Sequence, residues 1–211
     1  MVNLIMRCIH SSHPIHYVNA ISFMEDLCQM EGFVPFLWLL EHHPIYTTGA
    51  GDRGKYNFDV VRSSRGGGIT YHGANQRVVY IVARISMFKM NVVEYVVTLQ
   101  RWIAKTLRDI GVTEPKQSHG SVWIGDAKIA FIGIRVRNGV VFHGFSVNIS
   151  VDLSCFAYIM PCGKDYAATS LEKEGFPISL LDFDKILLSN VPESFGSISN
   201  IEEVLEIPYV V

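Results

Sequence analysis

The sequence predicts a single α/β domain with a central mixed sheet, flanking helices and antiparallel hairpins. Three observations predict it. Phe36 to Leu40 is a continuous apolar run of strand length, which suits a sheet covered on both faces, and Val78 to Ile85 is another apolar, β-branched run. Between Asn91 and Ile110, the residues Val92, Val96, Leu99, Ile103, Leu107 and Ile110 recur at helical spacing. Asn138-Gly139 separates two β-branched runs, the strongest short-range hairpin signal a sequence carries.

The elements follow in chain order. Pro14 to Glu31 reads as a helix, because Tyr17, Ala20, Met24 and Leu27 share one face and Gly32 can close the end. After the Phe36 run, Pro44 to Thr48 reads as a continuation of the same sheet, and Gly49 to Gly54 as a loop. Gly111 ends the long second helix as a left-handed cap. A meander comes next: Ser121 to Ile124, a turn at Gly125-Asp126, Ala127 to Arg137, then Val140 to Ser150. Near the end, Ser199-x-x-Glu202 before Val204 and Leu205 has the form of a capping box opening a short helix.

Composition narrows the function. The chain has 211 residues, 49% of them hydrophobic and 18% charged, enough for a substantial core and too apolar for disorder. No repeat or linker divides it, so residues 1–211 read as one domain. A net charge of −2 gives no reason to expect nucleic-acid binding. The longest apolar run, Phe33 to Leu40, is far too short to cross a membrane and contains Pro35. His10, Ser11, Ser12 and His13 interrupt the N-terminus before a signal core could form, so a cytoplasmic protein is expected. The four cysteines Cys8, Cys28, Cys155 and Cys162 contain no Cys-x-x-Cys pair and suggest neither disulfides nor metal. His10, His13 and His16 have one-turn spacing, but Pro14 breaks the series, which reads as a polar edge and not a metal site. His42-His43 reads as a strand end.

Three features carry chemistry. Cys162 sits in a turn between Pro161 and Gly163, where a thiol is either an inert bystander or a nucleophile given a neighbouring base or cation. Cys8 and Cys28 read as core. Lys128 could be that neighbour. In an unbroken strand it shares a face with Ala130, Ile132 and Ile134, but the default reading beside Gly125-Asp126 is an ammonium in water. Arg65-Gly66-Gly67-Gly68, followed by Ile69, Thr70, Tyr71 and His72, offers backbone amides that can approach a ligand closely. It lacks the Lys-Ser/Thr of a phosphate-binding P-loop and leads into a strand, unlike a dinucleotide fingerprint. His143-Gly144 adds a second glycine where a ligand could approach.

These segments, with Glu41 to Gly49, Gly120 to Gly133, Phe142 to Asn148, Asp152 to Phe156 and Ile159 to Gly163, resemble the lipoyl(octanoyl) transferase family in order and spacing. The resemblance implies the biotin/lipoate protein ligase-like transferase fold. It implies an acyltransferase that takes octanoyl from octanoyl-acyl carrier protein to a lysine of the lipoyl domains of 2-oxoacid dehydrogenases or the glycine cleavage H protein. Cys162 would hold the acyl thioester and Lys128 would move the proton. Arg65 to His72, Phe131, Ile132, Gly133, Gly144, Phe145 and Ser146 would contact substrate. No cofactor, metal or ATP would be needed, and the protein would act as a monomer away from membranes. Ala74-Asn75-Gln76 stands where the family commonly shows Pro-Gly-Gln, and Ser64 where an acidic or amide residue is usual. Arg65, Arg77, Arg135 and Arg137 are candidates to dock the acidic carrier protein. The rival readings are an ATP-dependent lipoate–protein ligase of similar fold, a thioesterase, and a non-catalytic module that binds lipoyl domains or carrier protein.

Overall fold

A computed structural model describes residues 5–30, 32–159, 167–205, 207 and 208. Eight of the described strands form one mixed sheet in the order β11-β1-β2-β6-β10-β9-β8-β7. These are β1 (Ile5–Ser11), β2 (Phe36–Leu40), β6 (Gln76–Arg84), β7 (Lys116–Ser118), β8 (Ser121–Ile124), β9 (Ala127–Arg137), β10 (Val140–Asn148) and β11 (Ser197–Val204). Strand β1 runs parallel to both β2 and β11, and the remaining neighbours are antiparallel. The meander therefore forms with Asn138 and Gly139 both at positive φ, as its turn requires.

Helices cover both faces. Helix α1 (Tyr17–Leu27) packs Ala20, Met24 and Leu27 against Trp38, Val82 and Phe142 on one side. Helix α2 (Val92–Ile110) and helix α3 (Leu180–Ser189) cover the other, where Leu99, Trp102, Ile103 and Leu187 meet Leu39, Ile81 and Val141. Asn91 caps α2 in a reciprocal box with Glu94, and Gly111 closes it at φ 119°. Trp102 Nε1 donates to Leu187 O at 2.8 Å, tying α2 to α3.

Three expectations change. Helix α1 is shorter than Pro14 to Glu31, because Ile15 is held in a bridge to His42 and only the segment from Tyr17 is free to coil. The His10, His13 and His16 series is interrupted before the helix, as Pro14 suggested: His10 lies in β1 beside Glu203, while His16 stacks on His43. Ile45–Thr48 does not continue the main sheet. It is β3 of a second, three-stranded sheet with β4 (Val61–Arg62) and β5 (Thr70–His72), ordered β4-β3-β5. Finally, Ser199 and Glu202 open no helix. Ser199 Oγ accepts from Cys8 N, and Glu202 pairs with Arg7 at 2.6 Å, so both residues hold β11 along β1. The apparent capping spacing spans an irregularity in this edge strand, where β11 carries one residue more than β1 between Ile198 and Ile201.

Candidate active site

The Gly-rich loop lies over the middle of β9 and β10, and local packing dictates how. Strand β8 pairs with β9 only as far as Phe131, which leaves the carbonyl of Ile134 open; Gly66 N–H donates to it at 2.9 Å. Gly133 and Gly144 face each other across β9 and β10. A Cβ on Gly133 would crowd Arg65 and Gly66, and one on Gly144 would collide with the Val79 carbonyl. These two glycines make room for the loop and for β6 respectively.

Between loop and sheet is a cavity of about 290 Å³, near the lower end of the range for small-ligand sites (roughly 300 Å³ upward). Its walls bring together most of the expected substrate residues: Arg65, Gly66, Gly67, Gly68, Ile69, Thr70, His72, Phe131, Ile132, Gly133, Gly144, Phe145 and Ser146. Lys128 also lines it. Tyr71 does not. It alternates to the other side of β5 and packs on Phe156 and Tyr46 in a third apolar cluster.

Lys128 is only 4% exposed, so the solvated reading is overturned. The reason is a bulge. Val122 pairs with Ala130 but Trp123 pairs with Lys128, leaving Ile129 as the extra residue. Ile129 and Ala130 both enter the main core, while Lys128 shares its side with Phe131 instead of Ala130, Ile132 and Ile134. Its Nζ lies 5.0 Å from the ring centroids of both Trp123 and Phe131, a cation–π setting that compensates part of the lost hydration. The Lys128 backbone is held on both sides of one residue: its N–H donates to Ala167 O at 2.8 Å, and its carbonyl accepts from Thr169 N at 2.9 Å. Cys162 lies outside the described residues.

Arg65 is 8% exposed and donates to Thr47 O, Thr47 Oγ1 and Gly66 O at 2.9 to 3.0 Å. Among the described residues no carboxylate pairs with it. Burial and this cation keep the neighbouring imidazoles neutral. Desolvation pulls His143 down to about 3, with Arg65 next among the causes, and pulls His72 well below its usual value. His72 Nδ1 donates to Gln76 Oε1 at 2.6 Å, since Gln76 Nε2 already donates to Tyr71 O and Asn148 Oδ1. Asn148 Nδ2 in turn donates to Thr169 O, so a continuous polar chain joins His72 to the segment gripping Lys128.

Among described residues, six buried side-chain nitrogen or oxygen atoms find no partner, and four belong to cavity residues: Arg65 Nε, Thr70 Oγ1, His143 Nδ1 and Ser146 Oγ. Unpaired buried polar groups are costly, so their concentration here marks a place built for a polar ligand.

Sequence reading missed Tyr17, Tyr80, Val96, His119, Gly120 and Ser121, which also line the cavity. Tyr17 and Val96 sit on helix faces that pattern alone assigns to core. His143 was identifiable from its glycine neighbour; it adopts φ 62°, a strained backbone for a non-glycine residue. Asn75, at the position where the family commonly shows glycine, is also left-handed, at φ 61°, a conformation that asparagine tolerates better than most side chains. Ser64 donates to Glu25 Oε1 at 2.9 Å, so α1 supplies a carboxylate at that position.

Solved structures of low sequence identity define the class. The chain matches lipoate-protein ligase A bound with ATP at TM-score 0.71 and 14% identity, covering 97% of this chain and 90% of that one. A biotin protein ligase from Aquifex aeolicus matches at TM-score 0.51 and 10% identity, over 91% of this chain and 68% of that one. The fold is therefore biotin/lipoate protein ligase-like. Residues 16–191 match the family described as the lipoyl protein ligase A/B catalytic domain. An octanoyltransferase of Nitrobacter winogradskyi is 37% identical over 207 residues, 89% of each chain, and one of Ehrlichia chaffeensis 39% identical over 201 residues, 88% of this chain and 94% of its own. The chain belongs to the octanoyltransferase family and is an acyltransferase of protein lipoylation.

Proposed function

We propose that the cavity binds an octanoyl group carried as a thioester on Cys162, with Lys128 as the base that activates the thiol and moves its proton. Octanoyl-acyl carrier protein is the donor, and a lipoyl-domain lysine is the acceptor. The carrying observation is the placement of Lys128, buried in the cavity wall and hydrogen-bonded to Ala167 and Thr169. The sequence is consistent with the pairing: Cys162 is only five residues before Ala167, whose carbonyl accepts from Lys128 N–H.

In this reading the Cys162 thiolate attacks the donor carbonyl and expels the carrier thiol, which takes a proton from the Lys128 side. The lipoyl-domain amine, attacking in its neutral form, then adds to the acyl-enzyme carbonyl and gives its proton to the now neutral Lys128, and Cys162 leaves as thiolate. Amides of the Gly-rich loop and the orphan Thr70 and Ser146 hydroxyls support the oxyanion. Ile69, Phe131 and Phe145 give the chain an apolar wall. Neither step uses ATP, metal or another cofactor. We further propose that residues 1–211 form one catalytic domain acting as a monomer in the cytoplasm. No helix among the described residues is long and apolar enough to cross a membrane.

The test is transfer to a lipoyl domain from octanoyl-acyl carrier protein without ATP, followed by the domain's mass. A gain of one octanoyl group is expected. Hydrolysis of the thioester with no gain would make the protein a thioesterase, and a gain only from free acid plus ATP would make it a ligase. Binding without turnover would make it a module.

A further inference from the structure

A second cavity, of about 1000 Å³, adjoins the first, and the two share Gly67 and Gly68 as a common wall. Its lining joins two exposed cations, Arg53 and Lys55, to an aromatic side made by Tyr56, Phe58 and Tyr158. Tyr158 is 73% exposed, a large apolar surface on the rim of this cavity. Neither Arg53 nor Lys55 makes an ion pair among the described residues.

Among the described residues, the only carboxylate in this lining is Asp52, and it is already engaged. It accepts from Thr48 Oγ1, Gly54 N and Tyr56 OH, which hold it in the base of the loop. Arg62 donates to the Asp52 carbonyl and stabilises the same turn. The mouth is thus cationic at Arg53 and Lys55, apolar along one wall, and continuous with the acyl cavity. An occupant matching it has an anionic head, a slender amphipathic body and an end that reaches past Gly67.

We propose that this second cavity receives the phosphopantetheine arm of the acyl donor, with its phosphate held by Arg53 and Lys55 and its thioester reaching the first cavity past Gly67 and Gly68. The inference rests on the transferase reading above and adds where the donor's charge is recognised. It also replaces two candidates for donor recognition: Arg65 is buried against Thr47, and Arg77 is buried in an ion pair with Asp184, so neither can meet a partner's surface.

Two minimal donors isolate the phosphate: octanoyl-phosphopantetheine and octanoyl-pantetheine, which carry the same thioester. For the intact chain, the phosphorylated donor is expected to acylate a lipoyl domain with about tenfold higher kcat/KM, through KM, an advantage worth about 1.4 kcal/mol. The double variant Arg53→Gln/Lys55→Gln should bring that ratio to near one while keeping the intact chain's rate with octanoyl-pantetheine, which shows that it is folded. Arg135→Gln/Arg137→Gln, on exposed β9, should leave the ratio unchanged. A ratio near one in the intact chain, or a preference surviving in the double variant, would overturn the assignment while leaving the transferase reading in place. Acylation from neither thioester would overturn both.

Discussion

Three buried residues carry the chemical consequences of the site. Lys128→Ala should leave the fold intact and slow acylation at least tenfold, and iodoacetamide should then react with Cys162 only at higher pH. An unchanged alkylation profile would remove Lys128 from the mechanism. The neutral histidines set the acid limit. Burial draws His42 down to about 4, even though its Nδ1 donates to Ile15 O, and draws His143 to about 3. An unfolded histidine titrates near 6.5, so between about 6.5 and 4 the unfolded chain binds more protons and stability falls as pH falls. His42 alone accounts for on the order of 3 kcal/mol at the acid end. The Tm should therefore be flat above about pH 7 and drop steadily below 6.5; a flat profile to pH 4 would show that these imidazoles are not buried neutral. The thiols of Cys8 and Cys28, lifted by burial to about 12 and about 11, should be far slower to alkylate than Cys162. The core role of those two cysteines was legible from their apolar surroundings. The burial of Lys128 was not, because it depends on a bulge that the residue pattern does not reveal.

Elements are joined by a few polar contacts whose removal has predictable cost. Arg77 Nε donates to Asp184 Oδ1 at 2.8 Å, linking β6 to α3 inside the core. Removing one partner leaves a buried unpaired charge, so Arg77→Met should cost about 3 to 5 kcal/mol in urea unfolding. Arg77→Met with Asp184→Leu should recover most of that loss; equal loss in both would show that packing, not charge, is what the pair supplies. At the start of α2, Asn91→Ala should cost about 1 kcal/mol through loss of the cap. That helix was legible end to end, because an amphipathic stripe and a terminal glycine agree. Strand β11 was not, since Ser199 and Glu202 fit two patterns and only pairing with β1, far away in sequence, selects the strand.

At the scale of the whole molecule, a sheet covered on both faces positions a glycine loop above β9 and β10, and Lys128, His72 and His143 line the cavity between them. The sheet's centre was readable from continuous apolar runs, and the meander from its turns. The second sheet was not, because β3, β4 and β5 are short and their pairing follows from the loop docking on Ile134. The cavity residues Tyr17 and Val96 were hidden for the same reason: they reach the site only once helices and sheet are assembled. What the assembled site should do is carry an acyl group on one sulfur. The most direct measurement is the intact mass of the protein after mixing with octanoyl-acyl carrier protein, without ATP, for the wild type and Cys162→Ser. One octanoyl adduct, released by hydroxylamine, should appear on the wild type and pass to an added lipoyl domain, and the hydroxylamine-labile adduct should be absent from the variant. A labile adduct on Cys162→Ser, or transfer at the normal rate by that variant, would contradict the assignment of Cys162 as the acyl carrier.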